Sequence, residues 1–215
     1  MNKFVIVIQA RLSSKRLRNK ILFHIYDDVS ILEMIIKSLK SFTKIPIILA
    51  TSSSTEDKKL RYFANKYNIS FYSGSLNNVR KRIFLCTKGY EVIFRFTADN
   101  PLVFKELIDF AQKNFNKYSY LGFKNYIRGS VFQVFKRDLI KNYKTCTNFE
   151  KEHVIDPKKI DNKYIKDMKM SDSKIKLSID TIEDYFFTFT FIKRYFYKYK
   201  RHNLKNFNTF LKINF

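Results

Sequence analysis

The stretch VIVIQARLSSKRLRNKIL, residues 5–22, decides how the chain folds. Its first five residues, Val5 to Gln9, form an apolar run of strand length. The next eleven, residues 10–20, hold five cations, two serines and almost nothing able to pack a core. A strand that runs directly into dense positive charge has two readings. It is either a solvated loop in a Lys-rich protein or a loop wrapped around a multiply anionic ligand.

Outward from this segment, apolar runs alternate with helical patterns. Strands are expected at residues 4–9, 45–51, 69–73 and 91–97, then at 118–122, 131–135 and 174–180. Between the first four lie helices with readable starts. Ser30-Ile-Leu-Glu33 is a capping box, in which serine and glutamate satisfy each other's free backbone amides. It opens a helix through Ile35, Ile36 and Leu39. Ser54, with Asp57 three residues on, starts another through Leu60, Phe63 and Ala64. Residues 104–115 carry a third through Leu107, Ile108 and Ala111. Thr181-Ile-Glu-Asp184 caps a long helix ending near Tyr199, whose aromatic stripe (Tyr185, Phe189, Ile192, Phe196) reads as core. Strands alternating with helices imply an α/β fold, a mostly parallel sheet covered on both faces.

Composition narrows the class. The chain has 215 residues, 45% of them hydrophobic, enough for one domain with a substantial core. No apolar run reaches the length of a bilayer span, and the N-terminus lacks a signal peptide's pattern. Cys86 and Cys146 are far apart in sequence, and nothing about them suggests a disulfide framework or a zinc site. A cytoplasmic protein is expected. The net charge is +23, yet the cations are spread along the whole chain. Lys, Asn, Ile, Phe and Tyr are abundant, while Gly numbers 4 and Trp 0, a skew that an AT-rich genome imposes. A nucleic-acid binder remains the alternative origin of the charge, and a steep salt dependence of binding would reveal it.

In open α/β sheets ligands bind beyond the carboxyl ends of the strands. The first strand is followed by Arg11, Lys15, Arg16, Arg18 and Lys20. The second is followed by Thr51-Ser52-Ser53, and the third by Gly74-Ser75 and then Arg80 and Arg82. The fourth ends in RFTADNPL with Asp99, and the last in LSIDTIED with Asp180. Two carboxylates beside a polyphosphate site fit Mg²⁺, which takes few protein oxygens and keeps water and phosphate oxygens. Each aspartate also has a plainer reading, as the anchor of an Asp-Asn-Pro turn or the entry to a helix.

Taken in order, IQARLSSKRLRNKIL, LATSSSTEDKKL, GSLNNVRKRI, RFTADNPLV, EKEHV and LSIDTIEDY resemble the sugar cytidylyltransferases. The nearest branch is the spore-coat-polysaccharide type, related to the enzymes that activate 3-deoxy-manno-octulosonate and acylneuraminates with CTP. The resemblance covers residues 3–199. It implies a three-layer α/β/α nucleotide-diphosphosugar transferase fold, one domain over residues 1–215 and a homodimer. It further implies transfer of CMP from CTP to a sugar acid with release of pyrophosphate, for surface polysaccharide; the alternative on the same fold is a nucleotidyltransferase that uses another nucleoside triphosphate or a sugar phosphate. By the same resemblance Arg11 and Lys20 contact the triphosphate, with Ala10, Ser13, Ser14, Lys15 and Arg16 shaping the loop. Thr51 and the region around Arg80 and Arg82 lie near the nucleoside, Asp99 and Asp180 hold Mg²⁺, and Gln133, Glu152 and His153 face the acceptor. Membranes are not expected partners.

The sequence departs from that family in places. Ser13 stands where Gly or Ala is usual, Arg18-Asn19 replaces Pro-Gly or Pro-Asn, and Ile182 replaces a proline. Gln133 stands where relatives carry an acidic residue. The tail KRYFYKYKRHNLKNFNTFLKINF passes the end of the resemblance, and residues 200–215 read as a basic extension, a packing helix and dimer arm in preference to the nucleic-acid contact that its Lys/Tyr interleaving would also suit.

Overall fold

The computed structural model describes residues 3–168, 175–199 and 203–214. In chain order the elements are β1 (Phe4–Gln9), β2 (His24–Tyr26), β3 (Val29–Ser30), α1 (Ile31–Phe42), β4 (Ile47–Ser52), α2 (Thr55–Lys58), α3 (Arg61–Lys66) and β5 (Ser70–Gly74). There follow α4 (Val79–Cys86), β6 (Val92–Thr97), α5 (Lys105–Asn114), β7 (Tyr120–Lys124), β8 (Gln133–Lys136), α6 (Asn148–His153), β9 (Lys163–Asp167), α7 (Ile182–Lys198) and α8 (Leu204–Asn214).

Seven strands form one sheet in the order β5-β4-β1-β6-β8-β7-β9, and β8 alone runs against the others. β1 lies near the middle, with β4 and β6 as parallel neighbours. Central parallel strands are buried on both faces, which is why they read as continuous apolar runs. Ile6 and Ile8 point into one core layer with α1, α3, α5, α7 and α8. Val5 and Val7 point into the other, against α4 and the residues that follow α6. The expected three-layer α/β/α architecture is therefore the one observed. Among the described residues, no helix is long and apolar enough to cross a membrane.

The capping boxes expected at Ser30/Glu33 and Thr181/Asp184 are both present. Glu33 also accepts from Lys66 Nζ at 2.7 Å and from the Tyr67 hydroxyl at 2.8 Å, which ties α1 to the end of α3. The helix expected to run on from Ser54 is broken into α2 and α3. Lys59 and Leu60 donate three residues back, to Glu56 and Asp57, so the chain tightens there instead of continuing. The described part of the C-terminal tail packs rather than extends: Phe207 is fully buried against Phe104, Phe191 and Tyr195. Residues 200–202 and 215 lie outside the described residues.

One expected strand is overturned. Residues 175–180 add no strand to the sheet, and residue 174 lies outside the described residues. A single bridge, Arg128 with Lys176, marks the segment, and the seventh strand is β9, beside β7. The reason is where the backbone bonds go: Leu177 N–H donates to Arg128 O at 2.7 Å and Ile179 N–H to Asp99 O at 3.0 Å. The segment lies across the carboxyl end of β6 instead of lengthening the sheet. Gly129 permits this. Its φ is +99°, and a Cβ there would collide with the backbone of Leu177 and Ser178.

Two predictions follow from this packing. Gly129→Ala should destabilise the protein by about 2 kcal/mol or more, read as a fall in the urea midpoint, because both conformation and space are lost. The Glu33 carboxyl is resisted by its burial, but Lys66, Tyr67 and the Ser30 cap outweigh this and hold it at about 2. A carboxyl lowered in the folded state stabilises above its unfolded pKa, and that stability is lost as pH falls through the folded value. The stability gap between native protein and Glu33→Gln should be roughly 2–3 kcal/mol above pH ~5 and shrink toward pH ~2, measured by denaturation at stepped pH.

Candidate active site

After β1 the chain passes to β4 on one side, while β6 is added on the other side of β1. The crevice beyond β1 and β6 is thus the switch point of the sheet, where such folds bind ligands. A cavity of about 910 Å³ opens there.

Its floor is the cationic loop. Ala10 N–H donates to Ala50 O at 3.1 Å, and Leu12 N–H to the buried Asp57 carboxylate at 2.6 Å. Asp57 also accepts from the Ser52 hydroxyl. Asn19 takes the left-handed conformation that its side chain tolerates, φ 57°, and donates its N–H to Leu12 O. Arg18 is pinned outward to Glu56 at 3.0 Å. The loop is therefore a tethered turn that leaves Arg11 and Lys15 exposed on the cavity wall.

Lys20 turns inward. Its ammonium is buried and donates to Asp99 Oδ2 at 2.9 Å, to the Ile179 carbonyl, and to Asp180 Oδ1 at 3.3 Å. Asp180 is also met by Arg16 at 2.7 Å and Lys176 at 3.2 Å. Partial burial works to raise the Asp180 carboxyl, but Lys176 and Lys20 together hold it below its ordinary range. Asp184 fixes the tip by accepting from the backbone N–H groups of Asp180 and Thr181. Two carboxylates distant in sequence thus converge on one point, directly under the loop.

The cavity also meets α6, whose Glu152 and His153 are exposed on its wall; the His153 ring lies 4.4 Å from that of Phe149. α6 ends at Val154, held at φ +73°, an uncommon conformation for a β-branched residue. Arg80 stabilises it from below, donating to Val154 O at 2.8 Å, to Leu139 O and to Glu150. Arg80 thus anchors α6 rather than facing the cavity.

Ala10, Arg11, Ser13, Ser14, Lys15, Arg16, Lys20, Asp99, Glu152, His153 and Asp180 all line this one cavity. Thr51, Arg82 and Gln133 do not. Thr51 is fully buried, with its hydroxyl unpartnered. Arg82 is buried on α4, donates to Ser75 O, and burial draws it down to about 10. Gln133 accepts from Arg95 Nη1 at 2.6 Å. Arg95, Gln9, Asn77 and Lys151 line the cavity and were not singled out from the sequence. Arg95 carried the clearest missed signal, as a lone charge inside the apolar run VIFRFT.

Asp99 and Asp180 supply oxygen donors at one point, the donor type a hard divalent cation takes. Among the described residues no group of three or more His, Cys, Asp or Glu side chains could hold a metal by itself. The pair therefore fits a cation completed by ligand oxygens and water, not one caged by protein.

Comparison with known proteins agrees with this geometry. The sequence pattern of the family described as cytidylyltransferase matches residues 5–206. An uncharacterized protein of Methanocaldococcus jannaschii is 34% identical over 196 residues, spanning 85% of this chain and 80% of that protein. A solved cytidylyltransferase from Leptospira borgpetersenii superposes with a TM-score of 0.77 at 28% identity, over 86% of this chain and 84% of that one. The solved CMP:2-keto-3-deoxy-manno-octonic acid synthetase in complex with CTP gives 0.65 at 12% identity, over 88% and 98%, a likeness of fold. With the match running through nearly all of the sheet and both acidic tips, this chain belongs to the cytidylyltransferase family.

Proposed function

We propose that this chain transfers CMP from CTP to an acidic sugar and releases pyrophosphate. The single observation that carries the reading is the convergence of Asp99 and Asp180 on Lys20 beneath the loop of residues 10–20. In this reading the triphosphate lies on the loop. Arg11 and Lys15, exposed on the cavity wall, meet its outer oxygens, and the short Ser13-Ser14 turn lets it approach the backbone. The acceptor enters from the side of Glu152 and His153. Its hydroxyl oxygen attacks the α-phosphorus, the bond to the β-phosphate breaks, and pyrophosphate leaves with the electron pair while the hydroxyl proton passes to water.

Asp99 and Asp180 would hold Mg²⁺, which when bound neutralises charge on the phosphates and helps orient them. The chain's own contribution is position and fixed charge. Arg16 and Lys20 sit where negative charge grows as the bond to pyrophosphate lengthens. Asp57 and Glu56 keep the loop in shape before any ligand arrives, so little reorganisation is needed on binding. The homodimer and a role in surface-polysaccharide synthesis belong to the same reading.

The deciding experiment is a pyrophosphate-release screen with Mg²⁺, four nucleoside triphosphates, and a panel of nonulosonic acids and sugar phosphates. Turnover with CTP and a sugar acid is expected; silence across the panel would overturn the reading. Asp99→Asn and Asp180→Asn should each reduce Mg²⁺-dependent release by about a hundredfold or more while circular dichroism stays native. Full activity in either would remove that residue from the metal site. Lys20→Ala leaves two carboxylates facing each other without their shared cation, so its Tm should fall. Added Mg²⁺ should raise that Tm more than it raises the native value, and an equal response would refute the shared site.

A further inference from the structure

Arg95 lies mid-strand in β6, between the buried Phe94 and Phe96, and its side chain reaches the cavity. Every hydrogen-bond partner it has among the described residues is neutral. Nε and Nη2 donate to Gln9 Oε1 at 2.9 and 2.7 Å, and Nη1 donates to Gln133 Oε1 at 2.6 Å. Gln133 is steadied in turn, donating from Nε2 to the Tyr120 hydroxyl at 3.2 Å. Gln9, Arg95, Gln133 and Tyr120 thus form a polar row across β1, β6, β8 and β7, on the sheet face that α4 and the residues after α6 cover.

The row contains no acid. Among the described residues no carboxylate lies within ion-pair distance of Arg95, whereas Arg16 and Lys20 in the same cavity are both paired. Burial draws the guanidinium down to about 10 against the longer-range pull of the Asp99 carboxylate, which Lys20 already pairs, and this still leaves it charged at neutral pH. A guanidinium has five N–H donors, and these contacts engage three. One N–H on each terminal nitrogen remains without a partner among the described residues. A partly desolvated cation held by two amides and facing a cavity is unfavourable until something supplies a counter-charge. The amides fix its direction without cancelling its charge.

We propose that Arg95 is the receptor for an anionic group on the acceptor, a carboxylate or a phosphate monoester, with Gln9 and Gln133 as its positioning residues. This rests on the nucleotidyl-transfer reading above and adds to it the residue that recognises the acceptor's charge. A planar fork suits both anions, because each offers two oxygens in one plane. A neutral residue at 133 is essential to the device: glutamate there would pair with Arg95 internally and close the site to an external anion.

The test is equilibrium titration of the full chain with 3-deoxy-manno-octulosonate and N-acetylneuraminate as carboxylate probes, glucose 1-phosphate as the phosphate probe, and glucose as the uncharged control. CTP is titrated separately into each variant. At least one anion should bind the native protein and glucose should not; which probes bind identifies the anion. Arg95→Gln should weaken that binding about tenfold or more while CTP affinity stays within about twofold. Gln133→Glu, which keeps Arg95 in place, should weaken the same probe comparably, with Tm reporting that the fold is intact. Unchanged anion affinity in both variants overturns the proposal. So does an equal loss of CTP affinity, which would place Arg95 at the nucleotide, or the absence of anion binding in a native protein that binds CTP. If the native protein binds the anion through Arg95 but no CTP, the anion site stands and the nucleotidyl-transfer reading falls.

Discussion

The buried ammonium of Lys20 is the point on which the site depends. It bonds to Asp99 at the end of β6, to Asp180, and to the carbonyl of Ile179, so three separate parts of the chain meet at one nitrogen. Like charges repel, and Lys20 bonded to both Asp99 and Asp180 offsets that repulsion, with Arg16 and Lys176 adding further positive charge at Asp180. A bound divalent ion would compete for the same oxygens, so the buried ammonium holds that geometry ready.

Around that point the structure separates two kinds of positive charge. Arg16, Arg18, Lys20 and Lys176 are each paired with an acid and shape the cavity. Arg11 and Lys15 are exposed on its wall, and Arg95 is aimed into it by neutral amides. An excess of +23 says little about function. What matters is which cations lack an internal counter-ion and face a shared volume. That division is more specific than nonspecific backbone binding requires, since a nucleic-acid surface needs exposed cations and not fixed ones.

Support comes from places remote from the chemistry. Asp57 lies in α2, yet it sets the conformation of the loop after β1 by taking the Leu12 amide. Arg80 holds the strained turn at Val154 and so the end of α6. Gly129 makes room for the segment that carries Asp180. Each acts on position alone, which is the contribution that nucleotidyl transfer asks of a protein.

Much of this was legible in the amino-acid order because it depends on local rules. Alternation of apolar runs with capped helices is a short-range pattern, so β1, β4, β5, β6, α1, α5 and α7 follow from it. The six ordered motifs likewise point to the cytidylyltransferases, the family that the match over residues 5–206 shows. What only the tertiary structure decided is which groups meet. Residues 175–180 have strand-like composition, but their amides are taken by Arg128 and Asp99, so the segment crosses the sheet end. Arg95, Gln9 and Gln133 are single letters on three strands and become one row only through register. Periodicity reports which way a side chain faces; it carries no information about the partner across a strand or the charge that balances it, because those are set by contacts between residues far apart in the chain.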